Sequence, residues 1–124
     1  MSKPEYFEIL KERAVFRPRG RVSIEQAVDL VTSAITFARS LYIQNLLVDA
    51  SNLTGFEPPD VAMRYFIIRE WARAAAGGVR VAFVAIPEMI DPRKFGAIVA
   101  SNVGFIADAF ATEEEALTWL ERMN

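Results

Sequence analysis

Two short apolar runs, "LLV" at 46–48 and "VRVAFVAI" at 79–86, each lie between stretches of helical periodicity. Runs of that length, rich in β-branched and aromatic residues in the second case, read as strands. Apolarity on successive residues means that both faces of the strand are covered. Strands that alternate with helices form a parallel sheet joined by right-handed crossovers. The pattern therefore predicts an α/β domain.

The helices carry their own signals. Apolar residues at Ile24, Ala27, Val28, Val31, Ala34, Ile35 and Ala38 line one face of a helix over 24–41. Ser23 and Gln26 make a capping box at its start. A second helix starts at Pro59 or Asp60 and ends at Gly77 and Gly78, with Val61, Tyr65, Ile68, Ala72 and Ala75 as its expected core face. Asp91 and Pro92 read as N-cap and first residue of a third helix, with Phe95, Ile98 and Val99 inward and Asn102 and Gly104 at its end. Thr112 and Glu115 suggest a second capping box, and a last helix over 113–123 with Ala116, Leu117 and Leu120 on its apolar face. Its Glu113, Glu114 and Glu115 suit the positive end of the helix dipole and need no other role.

Before the first helix, 6–10 and 14–16 read as an antiparallel hairpin closed by "RPRGR", and "FIADAF" at 105–110 reads as an edge strand. "SNLTGFEPPD" at 51–60 reads as a loop. The expected order is β-β-α-β-α-β-α-β-α: a mixed, mainly parallel sheet with about four helices in one domain over 1–124.

Composition excludes several chemistries. There is no cysteine and no histidine among 124 residues, so disulfides, thiolate or imidazole catalysis and Cys/His zinc sites are out of reach. The formal net charge of -2 gives no reason to expect nucleic acid, and Arg13, Arg17, Arg19 and Arg21 read as a solvated edge. No apolar stretch approaches membrane-spanning length and the N-terminus lacks a signal-peptide pattern, so a cytoplasmic protein is expected. No dinucleotide or P-loop fingerprint occurs. No cofactor, metal or catalytic residue is expected.

Four ordered segments narrow the fold further: "LLVDASNLTGFEPPD", "GVRVAFVAIPE", "DPRKFGAIVASNVGF" and "AFATEEEALTWL". Together, from about Tyr6 to Leu120, they resemble the SpoIIAA-like family, bacterial domains related to STAS domains and more loosely to the SEC14 lipid-binding fold. The resemblance implies an antiparallel start leading into parallel strands, with helices packed on the sheet. It also implies a regulatory module of the anti-sigma-factor-antagonist type, in which a serine in an Asp-x-Ser context is phosphorylated by a partner kinase. "DAS", Asp49 to Ser51, is similar to that context, with Thr54 as a second hydroxyl. The following "NLTGFEPP" departs from the family's glycine-containing run, and turn-forming hydrogen bonds from Asp49 and Ser51 are the simpler role.

Strand ends at the carboxyl edge of a parallel sheet are the usual ligand side. They gather Asp49, Ser51, Asn52 and Thr54, then Glu88 and Asp91. Asp49 and Glu88 form a conceivable acid pair, though both also suit the end of a strand. Phe56, Met63, Phe66, Ile67 and Trp71 exceed what one core stripe needs, and Arg64, Arg69, Glu70 and Arg73 mark the wet side of that helix. The surplus suggests an interface or ligand groove. The expected function is a non-enzymatic protein-interaction module with a protein partner or a homodimer. The alternative is a small hydrophobic ligand or lipid-binding domain. A protein interface should be shallow, whereas a ligand site should be an enclosed apolar cavity with one or two polar anchors.

Overall fold

The computed structural model describes residues 2–122, with Phe95 described by its backbone alone. Its elements are β1 (Phe7–Ile9), β2 (Ala14–Phe16), β3 (Arg19–Arg21), α1 (Ile24–Ser40), β4 (Asn45–Asp49), β5 (Asn52–Thr54), α2 (Val61–Ala75), β6 (Arg80–Val84), a 3-10 turn (Pro87–Met89), α3 (Phe95–Asn102), β7 (Ala107–Phe110) and α4 (Glu113–Arg122). The main sheet has the order β1-β2-β4-β6-β7. β1 and β2 are antiparallel, and every other neighbouring pair in it is parallel.

Alternate side chains of a strand point to opposite faces, and the central strands are divided in this way between two cores. Phe16, Leu46, Val48 and Val81 pack with Val31, Ala34, Ile35 and Ala75 on the face covered by α1, α2 and α3. Val15, Leu47, Ala82 and Val84 pack with Ala116 and Leu120 of α4 on the other. That is why the β4 and β6 sequences are apolar without a polar alternation. The Ser23–Gln26 capping box is formed in full. At α4 the Glu115 N–H donates to the Thr112 hydroxyl at 3.2 Å. Among the described residues, no helix is long and apolar enough to cross a membrane.

Four expectations need correction. β3 and β5 pair as a separate two-stranded parallel sheet, where a closing turn and a loop were expected. "RGR" has no apolar residue and "NLT" a single one, the buried Leu53, too little to mark a strand without the partner that the chain brings alongside. α3 starts at Phe95, and Asp91 instead closes a tight turn by accepting the Arg93 N–H at 3.0 Å. In α3 Ile98 is 54% exposed and faces out, while Val99 is buried; the side chain of Phe95 lies outside the described residues. In α2 Val61 and Tyr65 are exposed, and Ile67 is buried instead. The expected end of α4 at Met123 also falls outside the described residues.

Candidate functional site

The apolar residues of α2 at Ile67, Ile68 and Trp71 face α1 and α3 across the carboxyl ends of β4, β6 and β7. They do not fill the space. A cavity of about 190 Å³ is left, lined mainly by apolar groups. Val28 and Val31 of α1, Phe83 of β6, Ala107 and Ala109 of β7 and Gly96 and Ala97 of α3 contribute to its wall. Trp71 stacks on Phe83 with ring centroids 4.7 Å apart, and its indole N–H donates to the Val28 carbonyl at 3.3 Å, which ties α2 to α1.

The charged groups of the lining are Arg64, Asp91, Lys94 and Asp108. Lys94 has a left-handed backbone, φ 56°. Its Nζ lies 2.9 Å from Asp108 Oδ1 and 2.6 Å from the Ala109 carbonyl oxygen, and 5.0 Å from the centre of the Phe110 ring. Arg64 is half-buried, and its Nη1 donates to the Met89 carbonyl at 3.1 Å.

A second cluster sits on the α4 face. Asp49, at the end of β4, is buried. Its Oδ1 accepts the Ser51 N–H at 3.0 Å and the Ser51 hydroxyl at 2.5 Å. Arg17 holds the Glu113 carboxylate with two parallel bonds, 2.8 and 2.9 Å long, the strong fork geometry. Burial first, and then the hydrogen bond with Glu113, push the Asp49 carboxyl above its ordinary value. The Arg17 bonds, helped by Asp49, pull Glu113 down to about 2. The pair thus drives the two carboxyls apart, Asp49 upward and Glu113 downward.

No family model matches the chain, and no curated protein matches it. Solved structures do. An uncharacterized DUF3478 protein with a SpoIIAA-like fold from Shewanella loihica PV-4 superposes with a TM-score of 0.52 at 15% identity, over 92% of this chain and 90% of that one. The fold is SpoIIAA-like. The anti-sigma factor antagonist SpoIIAA in its unphosphorylated form gives a TM-score of 0.49 at 18% identity, over 93% and 96% of the two chains. The Bacillus cell fate determinant SpoIIAA in its phosphorylated form gives 0.47 at 20%, over 95% and 97%. At these identities the likeness is one of backbone path.

On this SpoIIAA-like scaffold the expected site residues separate. Phe56, Ile67 and Trp71 line the cavity, whereas Met63 and Phe66 are exposed outside it. Asp49 and Ser51 belong to the α4 face. Thr54 pairs with β3, its hydroxyl 3.5 Å from the Gly20 carbonyl. The carboxyl coupled to Asp49 is Glu113, not Glu88, which stands exposed on the 3-10 turn. Glu113 therefore has partners beyond the helix dipole, and Arg17 is no mere solvated edge. Arg64, expected on the wet side of α2, lines the cavity instead. Its spacing from Ile67, Ile68 and Trp71 (three, four and seven residues) is the helical signal that places them together.

Proposed function

We propose that this chain is a non-enzymatic binding module that holds a small apolar ligand between α1, α2 and α3. The observation that carries this is the cavity of about 190 Å³, apolar over most of its wall and with charged groups confined to a few positions. The recess is partly open to solvent, the form in which small ligands are commonly held between helices and a sheet, and about 150 Å³ of apolar space suffices for benzene. By that measure this cavity suits a ring or short chain of roughly eight non-hydrogen atoms. The SpoIIAA-like fold supports a binding rather than catalytic role only by analogy of scaffold. A cytoplasmic setting fits a chain without cysteine.

The test is displacement of an apolar fluorophore by cavity-sized compounds, with native mass spectrometry of the protein as purified. Ala97→Phe places a ring in the cavity and should abolish fluorophore binding while the far-ultraviolet circular dichroism is unchanged. Equal fluorophore binding by both proteins would sink the reading.

A second reading is a protein-interaction module with regulatory output. It is favoured by the outer face of α2, where Val61 and Phe66 are 61% and 60% exposed beside exposed Tyr65. Exposed apolar groups gathered on one helix mark interaction surfaces. Under this reading a partner or a second copy covers α2, and Ser51 is the switch. Light scattering of the wild type and Phe66→Asp tests the homodimer form. A monomeric wild type whose mass the substitution leaves unchanged removes it.

A further inference from the structure

We propose that the ligand of the cavity carries a carboxylate, and that the Arg64 guanidinium receives it while the apolar body lies against Ile68, Trp71 and Phe83. This rests on the reading of the cavity as a ligand site and adds the chemical class of the ligand.

The argument begins with what surrounds each charge. Lys94 and Asp108 are paired at 2.9 Å, and Asp108 also accepts the Ala109 N–H at 2.8 Å. Asp91 accepts the Arg93 N–H at 3.0 Å within its own turn. Arg64 and Asp91 are the two lining charges without an ion pair among the described residues, and Arg64 is the cation of the two: it is half-buried, it donates to the neutral carbonyl of Met89 at 3.1 Å, and no carboxylate among the described residues lies within ion-pair distance of it. A guanidinium has five N–H donors in a planar fork. Withdrawing it from water without an anionic partner is costly, and a carboxylate that completes the fork recovers that cost. The Met89 bond also orients the fork, because one donor is held by the backbone of the 3-10 turn.

The remaining wall sets the rest of the ligand. The space is apolar and of ring or short-chain size. The ligand class is therefore a small monocarboxylic acid with an aromatic or short aliphatic body. A neutral compound of the same shape gains the apolar contact alone, and an amine would set a cation against Arg64.

Three eight-carbon probes separate the possibilities: octanoate, octanamide and octylamine. Binding is read from the fluorescence of Trp71, which lines the cavity, in a Trp119→Phe background. The expected order is octanoate tightest, octanamide about tenfold weaker, consistent with the worth of a charge-assisted hydrogen bond, and octylamine weakest. Arg64→Met should bring octanoate to the octanamide level and leave octanamide within about twofold, while Arg64→Lys should retain part of the preference. Circular dichroism confirms that each variant is folded. Equal affinity for octanoate and octanamide, tighter binding of octylamine, or an octanoate preference that persists in Arg64→Met overturns the carboxylate assignment and leaves the apolar cavity reading standing. Binding of none of the three overturns both.

Discussion

The Ser51 hydroxyl donates to Oδ1 of Asp49 at 2.5 Å, and the Ser51 N–H donates to the same oxygen at 3.0 Å. The hydroxyl that a kinase would have to reach is engaged in the turn that ends β4. Phosphorylation removes this donor and places about two negative charges beside Asp49. Ser51→Ala should cost about 1 kcal/mol, and Ser51→Glu should cost more because it adds a charge next to a buried carboxyl. Thermal denaturation measures both, and equal midpoints for the two variants would contradict the electrostatic part. Intact-mass analysis of protein from its own host decides whether Ser51 is modified; absence of phosphate across growth conditions removes the switch.

The Asp49–Glu113 pair sets a pH dependence with two opposite limbs. Glu113 is held at about 2, below its ordinary 4.5. Its contribution is complete above that ordinary value and is lost as pH falls toward 2. Asp49 is shifted up from 3.8. Its contribution is complete below 3.8 and is lost as pH rises through the raised folded value. Asp49→Asn deletes the second limb and keeps a donor for Glu113. The variant should lack the loss of stability that the wild type shows as pH rises above the ordinary Asp value, yet keep the acid-side loss. Denaturant unfolding across acid and neutral pH checks this, and parallel profiles for the two proteins would refute it.

β7 is an edge strand of the main sheet. The carbonyls of Ile106, just before it, and of Phe110 accept from the Val81 and Ala85 N–H groups on the β6 side, so by the alternation of a parallel ladder Ala109 turns to the open side. Asp108 takes the Ala109 N–H and Lys94 takes its carbonyl. An edge capped in this way resists pairing with another strand. Lys94→Ala should expose the carbonyl and produce concentration-dependent self-association. Analytical ultracentrifugation that finds the variant no more associated than the wild type would argue against edge protection.

Gly55 stands just after β5 with φ 102°. A Cβ there would lie 2.6 Å from the Val22 carbonyl oxygen and 2.9 Å from Cγ of Arg21. The first of these is backbone and cannot swing away. Gly55→Ala should therefore destabilise by about 2 kcal/mol or more, combining left-handed strain with the clash. A denaturation midpoint equal to that of the wild type would show that the β3–β5 region yields freely.

Much of the scaffold is legible locally. The period of Ile24 to Ala38, the Ser23–Gln26 box and the strand runs at 46–48 and 79–86 each depend on residues within a few positions, and each is found where the pattern places it. Asp91–Pro92 is a local signal that fails. The chain uses Asp91 to close a turn, and Lys94 takes a left-handed conformation before α3 can begin.

The sites depend on contacts that no local pattern contains. The unbroken apolar runs of β4 and β6, set between helical periods, by themselves determined that this chain makes a parallel-centred sheet buried on both faces, because successive side chains of a strand point to opposite sides. Which face each charge meets was decided only by the tertiary structure. Arg64 lies on α2 among other arginines, yet the 3-10 turn supplies the Met89 carbonyl that holds it at the cavity. Asp49 and Glu113 are remote in the chain and meet because α4 packs across the sheet. Burial and Coulomb interaction depend on distance in space, and that distance exists only once the helices are docked.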